Sequence, residues 1–239
     1  MEQEHLLSPG KRRADNLDLK TIARHLQHCA PLSDRGGHSD GHARAPGSSQ
    51  VRRGDVRRGD HELNPELDFY DPSLELRAAS VLVPLVERPT GLTILLTQRA
   101  DHLTSHAGQI SFPGGRLEMR DNGPLACALR ETEEEIGLPR SQMRPLGQME
   151  TYITRTGFEI TPFVGALEPP LELNPDPAEV VEIFEVPLSF ILNERNCRME
   201  CRELQGRNQY FYVYPYGERY IWGATAGMLR NFCELLAPA

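Results

Sequence analysis

One stretch constrains the fold more than any other: residues 111–138, SFPGGRLEMRDNGPLACALRETEEEIGL. Its Phe-Pro-Gly-Gly segment at 112–115 follows an apolar run and predicts a turn at the end of a strand. Pro124 suits the first turn of a helix, because the N–H that proline lacks would have no partner there. Gly137, followed by Pro139, is typical of a helix end. The stretch therefore predicts a strand, a glycine turn, a loop and a helix.

The predicted helix carries an unusual acidic face. Glu131, Glu134 and Glu135 are spaced i, i+3 and i+4, so their carboxylates converge on one patch. Like charges at this spacing repel by roughly 0.2–0.5 kcal/mol per pair, and the helix dipole disfavours anions near its C-terminal end. Only Arg130 offers local compensation. A solvated acidic face is the alternative interpretation, but the unfavourable cluster predicts a bound Mg²⁺ or Mn²⁺ that carries substrate phosphates.

In this order the residues resemble the Nudix box: Gly, five residues, an acid, seven residues, then Arg-Glu-apolar-x-Glu-Glu-x-Gly-apolar. Residues 130–138 match the second half, with Thr132 in the apolar position. The first half departs, because Asp121 stands where a glutamate is expected and eight residues separate it from Arg130. The resemblance implies a Nudix-type α/β/α sandwich with a mixed β-sheet, and a metal-dependent pyrophosphatase.

A second motif precedes the box. Residues 95–100 (LLTQRA), Gly108 and then 112–115 (FPGG) resemble the signature of the coenzyme A pyrophosphatase subgroup. Arg99 matches the first arginine of that motif, whereas Thr104 stands in place of the second. This resemblance implies hydrolysis of coenzyme A or its derivatives to 3′,5′-ADP and 4′-phosphopantetheine, or acyl-phosphopantetheine. Two alternatives stay open: a Nudix hydrolase for another nucleoside diphosphate linked to X, such as ADP-ribose, and a non-catalytic Nudix-fold binding module.

The site residues follow from both resemblances. Metal ions on the helix carboxylates would neutralise a diphosphate and acidify a bound water, and Arg130 would fix the rotamer of a neighbouring glutamate. The general base stays open between Glu131 and Glu179, while Glu182 reads as the polar face of a strand. The predicted catalytic residues are Glu131, Glu134, Glu135, Arg130 and Glu179; the metal ligands are Glu131, Glu134 and Glu135; the substrate contacts are Arg99, His102, His106, Gly114 and Gly115.

The composition divides the chain near residue 73. Within residues 1–72, the segment 16–30 predicts a short amphipathic helix. Residues 31–61 have almost no large apolar side chain, so we expect an Arg/Gly-rich linker and a largely disordered tail. Residues 73–239 form the predicted Nudix hydrolase domain. Its apolar and β-branched segments predict strands at 78–86, 92–97, 109–112, 145–154, 158–167, 179–186 and 209–214, a short helix at 187–193, and a last helix to Leu236 with Thr225 as its N-terminal cap.

Net charge, apolar runs and cysteine content indicate which partners and which compartment to expect. The net charge of −8 and pI near 5.5 argue against nucleic acid as the main partner; the partner that the resemblance implies is a small-molecule substrate, coenzyme A or a related nucleotide. The apolar runs are too short to span a bilayer, and the N-terminus lacks the apolar core of a secretory signal. The five scattered cysteines suit free thiols in the reducing cytoplasm. The oligomeric state stays open, a homodimer included.

Overall fold

A mixed β-sheet runs through the computed structural model, which describes residues 9–14, 17–27, 48–49, 58–67, 75–102, 107–204 and 206–237. Helices pack on both faces of this sheet, so the predicted α/β/α sandwich is confirmed. The helices in these segments are α1 Pro9–Ala14, α2 Leu19–Leu26, α3 Pro124–Ile136, α4 Leu188–Ile191 and α5 Gly223–Leu235. The strands of the main sheet are β1 Ser48–Ser49, β2 Arg58–Gly59, β3 Leu76–Arg88, β4 Gly91–Arg99, β5 Ile110–Ser111, β6 Gly114–Arg116, β7 Met143–Gln148, β8 Tyr152–Ile153, β9 Phe158–Leu167 and β10 Val180–Pro187, and those of a smaller sheet are β11 Arg198–Leu204, β12 Arg207–Tyr216 and β13 Arg219–Trp222.

In the middle of the main sheet β3 and β4 separate, and β6, which begins at the glycine turn, pairs with β3 between them. Its strand order is β10-β4-β3-β9-β8-β2, with β3 antiparallel to β4 and parallel to β9. The predicted β3–β4 hairpin is confirmed, but the two strands pair only near the turn, from Leu85 to Arg88 on β3. Nearer the start of β3, its pairing partner is β6 instead of β4, with Ser80 opposite Gly115. The box residues that follow β6 therefore start from the centre of the sheet.

Alternation along the strands divides the core in two. On β3, Leu82 and Val86 point to the α3 side, whereas Val81 and Leu85 point to the opposite side, as the two-residue period of a strand requires. Both faces are apolar, which explains why β3 reads as a continuous apolar run. The α3-side cluster contains Leu82, Val86, Leu95, Ala128, Ile136, Leu138, Met143, Phe163 and Leu167.

Helix α2 lies inside the segment predicted to be helical and packs on the domain. The N–H of Thr21 donates to Asp18 Oδ1 at 2.7 Å, which caps the helix. Leu19, Ile22 and Leu26 are buried in the larger core cluster. The predicted boundary at residue 73 therefore does not separate these residues from the core of the domain. Most of the predicted linker lies outside the described residues.

Helix α3 has the bounds that its proline and glycine predict. Pro124 is its first residue, and Gly137 ends it with φ of 71°, the left-handed conformation that glycine adopts without strain. The N–H of Gly137 donates to the carbonyl of Glu133. Two charged side chains of the helix, Arg130 and Glu135, are buried, which the apolar pattern of the helix does not predict.

Two features of the C-terminal part differ from the sequence expectations. Thr225 was expected to cap α5, but the cap position belongs to Trp222. The Thr225 hydroxyl instead donates to the carbonyl of Ile110 at 3.0 Å and ties α5 to β5. Strand β11 was not predicted, because its sequence RMECREL is charged and mostly exposed. None of the helices in the described segments has the length and apolar character needed to cross a bilayer.

Candidate active site

Arg130 holds the acidic end of the box together. Its Nε and Nη2 donate to the two carboxylate oxygens of Asp121 at 2.7 and 2.8 Å. Its Nη1 donates to Glu131 at 2.8 Å and to Glu134 at 2.9 Å. The predicted pairing of Arg130 with a neighbouring glutamate is thus present. The partner that accepts the most hydrogen bonds from Arg130 is Asp121, the residue at which the box departs from the usual pattern.

Asp121 is held as a carboxylate in a buried place. Its side chain is 3% exposed and that of Arg130 is 6% exposed. The hydrogen bond from Arg130 lowers the pKa of Asp121 from 3.8 to about 2, and the N–H of Glu118 adds to the effect. Bidentate bonds of this type fix orientation as well as charge. The extra loop residue before α3 therefore still lets this shorter acid reach Arg130.

Glycines bring the loop backbone against the acids of α3. A Cβ on Gly115 would lie 2.4–2.6 Å from the carboxylate of Glu131, so only glycine leaves room for that carboxylate against the backbone. A Cβ on Gly114, whose φ is +152°, would lie 2.4 Å from the carbonyl oxygen of Ser80. The two glycines therefore let β6 enter the sheet and let Glu131 approach it.

Glu135 is a buried carboxyl group with incomplete bonding. Its side chain is 3% exposed, and its Oε2 has no hydrogen-bond partner among the described residues. Burial raises its pKa to about 8, while Arg99 opposes the rise from 3.6 Å away. The negative charges of Glu179 and Glu131 raise it further. Glu135 thus lies where a cation would stabilise its charged form.

Glu179 is not part of the box, but it lies close enough to Glu131 and Glu135 to affect their pKa values. It directly precedes β10, and its carbonyl accepts a hydrogen bond from the N–H of Ala100 just after β4. Its charge raises the pKa of Glu131 as well as that of Glu135, although burial is the main cause for both. The fold therefore brings Glu179 together with the two box acids. Glu182 is not part of this group, because it forms an ion pair with Arg219.

Glu134 points to a different set of partners. Its side chain is 48% exposed and lies between Arg130 and Arg120, with the latter at 3.3 Å. Within the described segments, no three acidic, histidine or cysteine side chains are already arranged around a metal position. Glu131 and Glu134 are instead turned toward Arg130, with which both form ion pairs. The donor set nevertheless fits a hard divalent cation, because Glu131, Glu135 and Glu179 interact and Glu135 keeps an unpartnered buried oxygen.

A cavity of about 740 Å³ adjoins this acidic group. Arg99, Gly114 and Gly115, which the sequence predicts to contact substrate, line the end of the cavity near the acids. The cavity has two kinds of wall, one cationic and one apolar. The cationic residues are Arg77, Arg99, Arg116, Arg155 and Arg202, and the large apolar residues include Phe158, Ile160, Phe211, Trp222 and Met228.

His102, another expected substrate contact, is not part of this cavity wall. His102 is exposed and is not among the described residues that line the cavity. His106 and Thr104 lie outside the described residues. Trp222, for which the sequence allows either a core position or a stacking contact with substrate, lines the cavity. Its ring lies edge-to-face against that of Phe211, with the ring centroids 5.5 Å apart.

A segment before the predicted domain also forms part of the cavity wall. Asn64 Nδ2 donates to the carbonyls of Asp60 and Tyr210 at 2.8 and 2.9 Å, and its Oδ1 accepts from the N–H of Tyr210 at 2.8 Å. The Asp60 carboxylate accepts from the Tyr152 hydroxyl and from the N–H of Arg155, both at 2.8 Å. Residues 58–67 thereby join the smaller sheet to β8. No pattern in the sequence indicates this contact, because the segment has few apolar residues.

The fold and the site together define an α/β/α enzyme in which carboxylates of α3 adjoin a cavity with five arginines in its wall. The family comparison agrees with this class, since the NUDIX domain matches residues 76–200. The chain belongs to the Nudix family and is a hydrolase of that family, a pyrophosphatase. Enzymes of this family generally use divalent metal ions and act on small-molecule substrates.

The relatives carry the same family name. The chain is 40% identical to the "Uncharacterized Nudix hydrolase NudL" of Photorhabdus laumondii over 158 residues, 66% of this chain and 84% of the relative. It is 38% identical to the protein of that name from Yersinia enterocolitica over 156 residues, 65% of this chain and 80% of the relative. Among solved structures, the Nudix hydrolase RenU from M. smegmatis shares 22% identity and a TM-score of 0.41 over 48% of this chain and 74% of that one.

Proposed function

We propose that this Nudix hydrolase cleaves the pyrophosphate bond of coenzyme A or its derivatives, giving 3′,5′-ADP and 4′-phosphopantetheine or acyl-phosphopantetheine. The observation that carries the proposal is the cavity beside the box acids, with five arginines in its wall. Coenzyme A is a polyanion with a diphosphate and a separate 3′-phosphate, and guanidinium groups suit phosphate oxygens. The motif resemblance around Arg99 supports the same substrate.

The residues near the acids have separable roles in this reaction. Glu131, Glu134, Glu135 and Glu179 would hold Mg²⁺ or Mn²⁺, and Glu134 would exchange its partners Arg130 and Arg120 for the ion. The bound ion supplies charge neutralisation of the diphosphate and a water of lowered pKa. Glu131 or Glu179 accepts the proton of the attacking water. Arg130 positions Glu131 through the bond at 2.8 Å.

Arg99 lies between the two parts of the site. It is 3.6 Å from Glu135 and also lines the cavity. Its buried Nε has no hydrogen-bond partner among the described residues, and a buried donor without a partner is costly. A phosphate oxygen of the substrate would satisfy this donor. Arg99 would therefore orient the diphosphate toward the acids.

The apolar wall supports the organic part of the substrate. Phe211 and Trp222 present aromatic surface to the cavity, and Met228 adds a flexible apolar side chain. Aromatic rings stack on other flat rings, so this wall is suited to the adenine base. The adaptable surface of methionine suits the pantetheine chain equally well.

A substrate panel tests the proposal. Purified full-length protein is incubated with coenzyme A, acetyl-coenzyme A or ADP-ribose, each with Mg²⁺ or Mn²⁺, and the products are separated by chromatography. We expect 3′,5′-ADP from both coenzyme A substrates. A clear preference for ADP-ribose would instead support the alternative nucleoside diphosphate substrate, and saturable binding without product would support a binding module.

A further inference from the structure

Two arginines of the cavity lie on one face of the sheet as close neighbours. Arg77 on β3 lies opposite Phe158 on β9. Arg116 on β6 lies opposite Ala79, two residues along β3 from Arg77. Residues two apart on a strand share a face, and diagonal cross-strand neighbours are about 7–8 Å apart. The two guanidinium groups therefore extend from neighbouring positions into the same cavity.

Both cations also gather at one aromatic ring. The guanidinium carbon of Arg77 is 4.0 Å from the ring centroid of Phe158, and that of Arg116 is 5.4 Å from it. Arg77 Nη2 donates to the carbonyl of Thr156 at 2.7 Å, which fixes one side of the group. Within the described part of the chain, neither arginine forms an ion pair with a carboxylate within 4 Å. The two guanidinium groups are exposed and repel each other, so an anion bound between them would be stabilised by both.

The distance of Arg77 from the acids indicates which part of a substrate it would meet. Arg77 is three residues from Ser80, and Ser80 pairs with Gly115, which Glu131 approaches. Three residues of strand correspond to roughly 10 Å. An anion at Arg77 would therefore lie roughly 10 Å from the acids, which separates it from a diphosphate bound at them.

We propose that Arg77 and Arg116 form a subsite for a phosphomonoester on the nucleoside part of the substrate, and so select for a 3′-phosphorylated nucleotide. This inference rests on the proposed function. Phe158 holds both guanidinium planes by cation–π contact. The competing interpretation is a purely structural stack between adjacent strands, which would not distinguish one substrate from another.

The test compares two substrates that differ only in the 3′-phosphate. The variants Arg77→Gln and Arg116→Gln are assayed with coenzyme A and with 3′-dephospho-coenzyme A. The matched control is Arg144→Gln, an exposed arginine of β7 whose side chain lies near Glu168 and outside the cavity. For each protein, kcat and KM are measured separately with saturating metal ion.

We expect Arg77→Gln to lower kcat/KM for coenzyme A by about tenfold or more, through KM, because a charge-assisted contact is lost. The same variant should change kcat/KM for the dephospho substrate by less than about threefold. Arg116→Gln should reduce the preference in the same direction, and Arg144→Gln should leave it unchanged. Equal losses on both substrates, or no loss on either, would overturn the subsite.

A binding measurement separates the subsite from the proposed reaction. Calorimetry on the wild-type protein compares adenosine 3′,5′-bisphosphate with 5′-AMP, and neither ligand contains a bond that this enzyme is proposed to cleave. We expect the bisphosphate to bind more tightly, and Arg77→Gln to remove the difference. If wild-type protein hydrolyses neither coenzyme A substrate, the proposed function fails. If the two nucleotides bind equally, the subsite fails, whatever the outcome of the hydrolysis assay.

Discussion

The bond between Asp121 and Arg130 gives the most direct test of how this box is built. The change Asp121→Asn keeps the size of the side chain but removes its charge and one of its two acceptor oxygens. Arg130 would then keep Glu131 and Glu134 as its charged partners. Because both Asp121 and Arg130 are almost fully buried, water cannot replace the lost contact, and the folded state should be destabilised.

The expected magnitude follows from the pKa. A lowering from 3.8 to about 2 corresponds to roughly 2 kcal/mol of folding free energy, at about 1.4 kcal/mol per pKa unit. Breaking a buried ion pair outright costs about 3–5 kcal/mol. Since Arg130 retains two carboxylate partners, we expect a loss of about 2–3 kcal/mol.

Urea unfolding at pH 7 measures this loss, with Glu118→Gln as the control. Glu118 forms a surface pair with Arg120 and its side chain is 48% exposed, so its loss should cost at most about 1 kcal/mol. The pH dependence gives a second test. A lowered carboxyl pKa stabilises the folded state above pH 3.8, and this contribution disappears as the pH falls through about 2.

The difference between wild type and Asp121→Asn should therefore be constant from about pH 5 to 7 and should shrink in acid, below the pKa of the unfolded carboxyl. An Asp121→Asn loss no larger than that of Glu118→Gln would refute the reasoning. A difference that grows as the pH falls would refute it as well, because it would assign the stabilisation to the protonated acid.

Three further predictions concern the acids, the metal and the wall segment. Glu134→Gln and Glu135→Gln should each lower kcat by two or more orders of magnitude without unfolding the protein. The control Glu133→Gln should retain activity, because the Glu133 carboxylate pairs with Arg140 on the surface at 2.7 Å. Wild-type rates in Glu134→Gln and Glu135→Gln would contradict the assignment of these two acids as metal ligands. Excess EDTA should abolish turnover and Mg²⁺ or Mn²⁺ should restore it, so persistent activity in EDTA would exclude a metal requirement. Asn64→Ala removes three hydrogen bonds and should lower the free energy of unfolding by about 1–3 kcal/mol, and an unchanged urea midpoint would show that residues 58–67 do not hold the cavity wall.

The sequence by itself determined the parts of this protein that depend on local chemistry. Pro124 and Gly137 set both ends of α3, because the first needs no N–H partner and the second adopts the left-handed conformation. Apolar runs gave the strands of the hairpin, since alternation and β-branching act within a few residues. The box acids on α3 could likewise be named from their spacing.

Tertiary structure alone decided which of these groups meet. Glu179 lies more than 40 residues after the box acids in the chain, and the pairing of β4 with β10 brings it to them. Arg77 became a cavity residue because β6 and β9 flank the same part of β3. The partners of Glu134 are decided in the same way, because Arg120 reaches it from the preceding loop. Charge pairs and cavities depend on distances between segments remote in sequence, and periodicity within one segment carries no information about those distances.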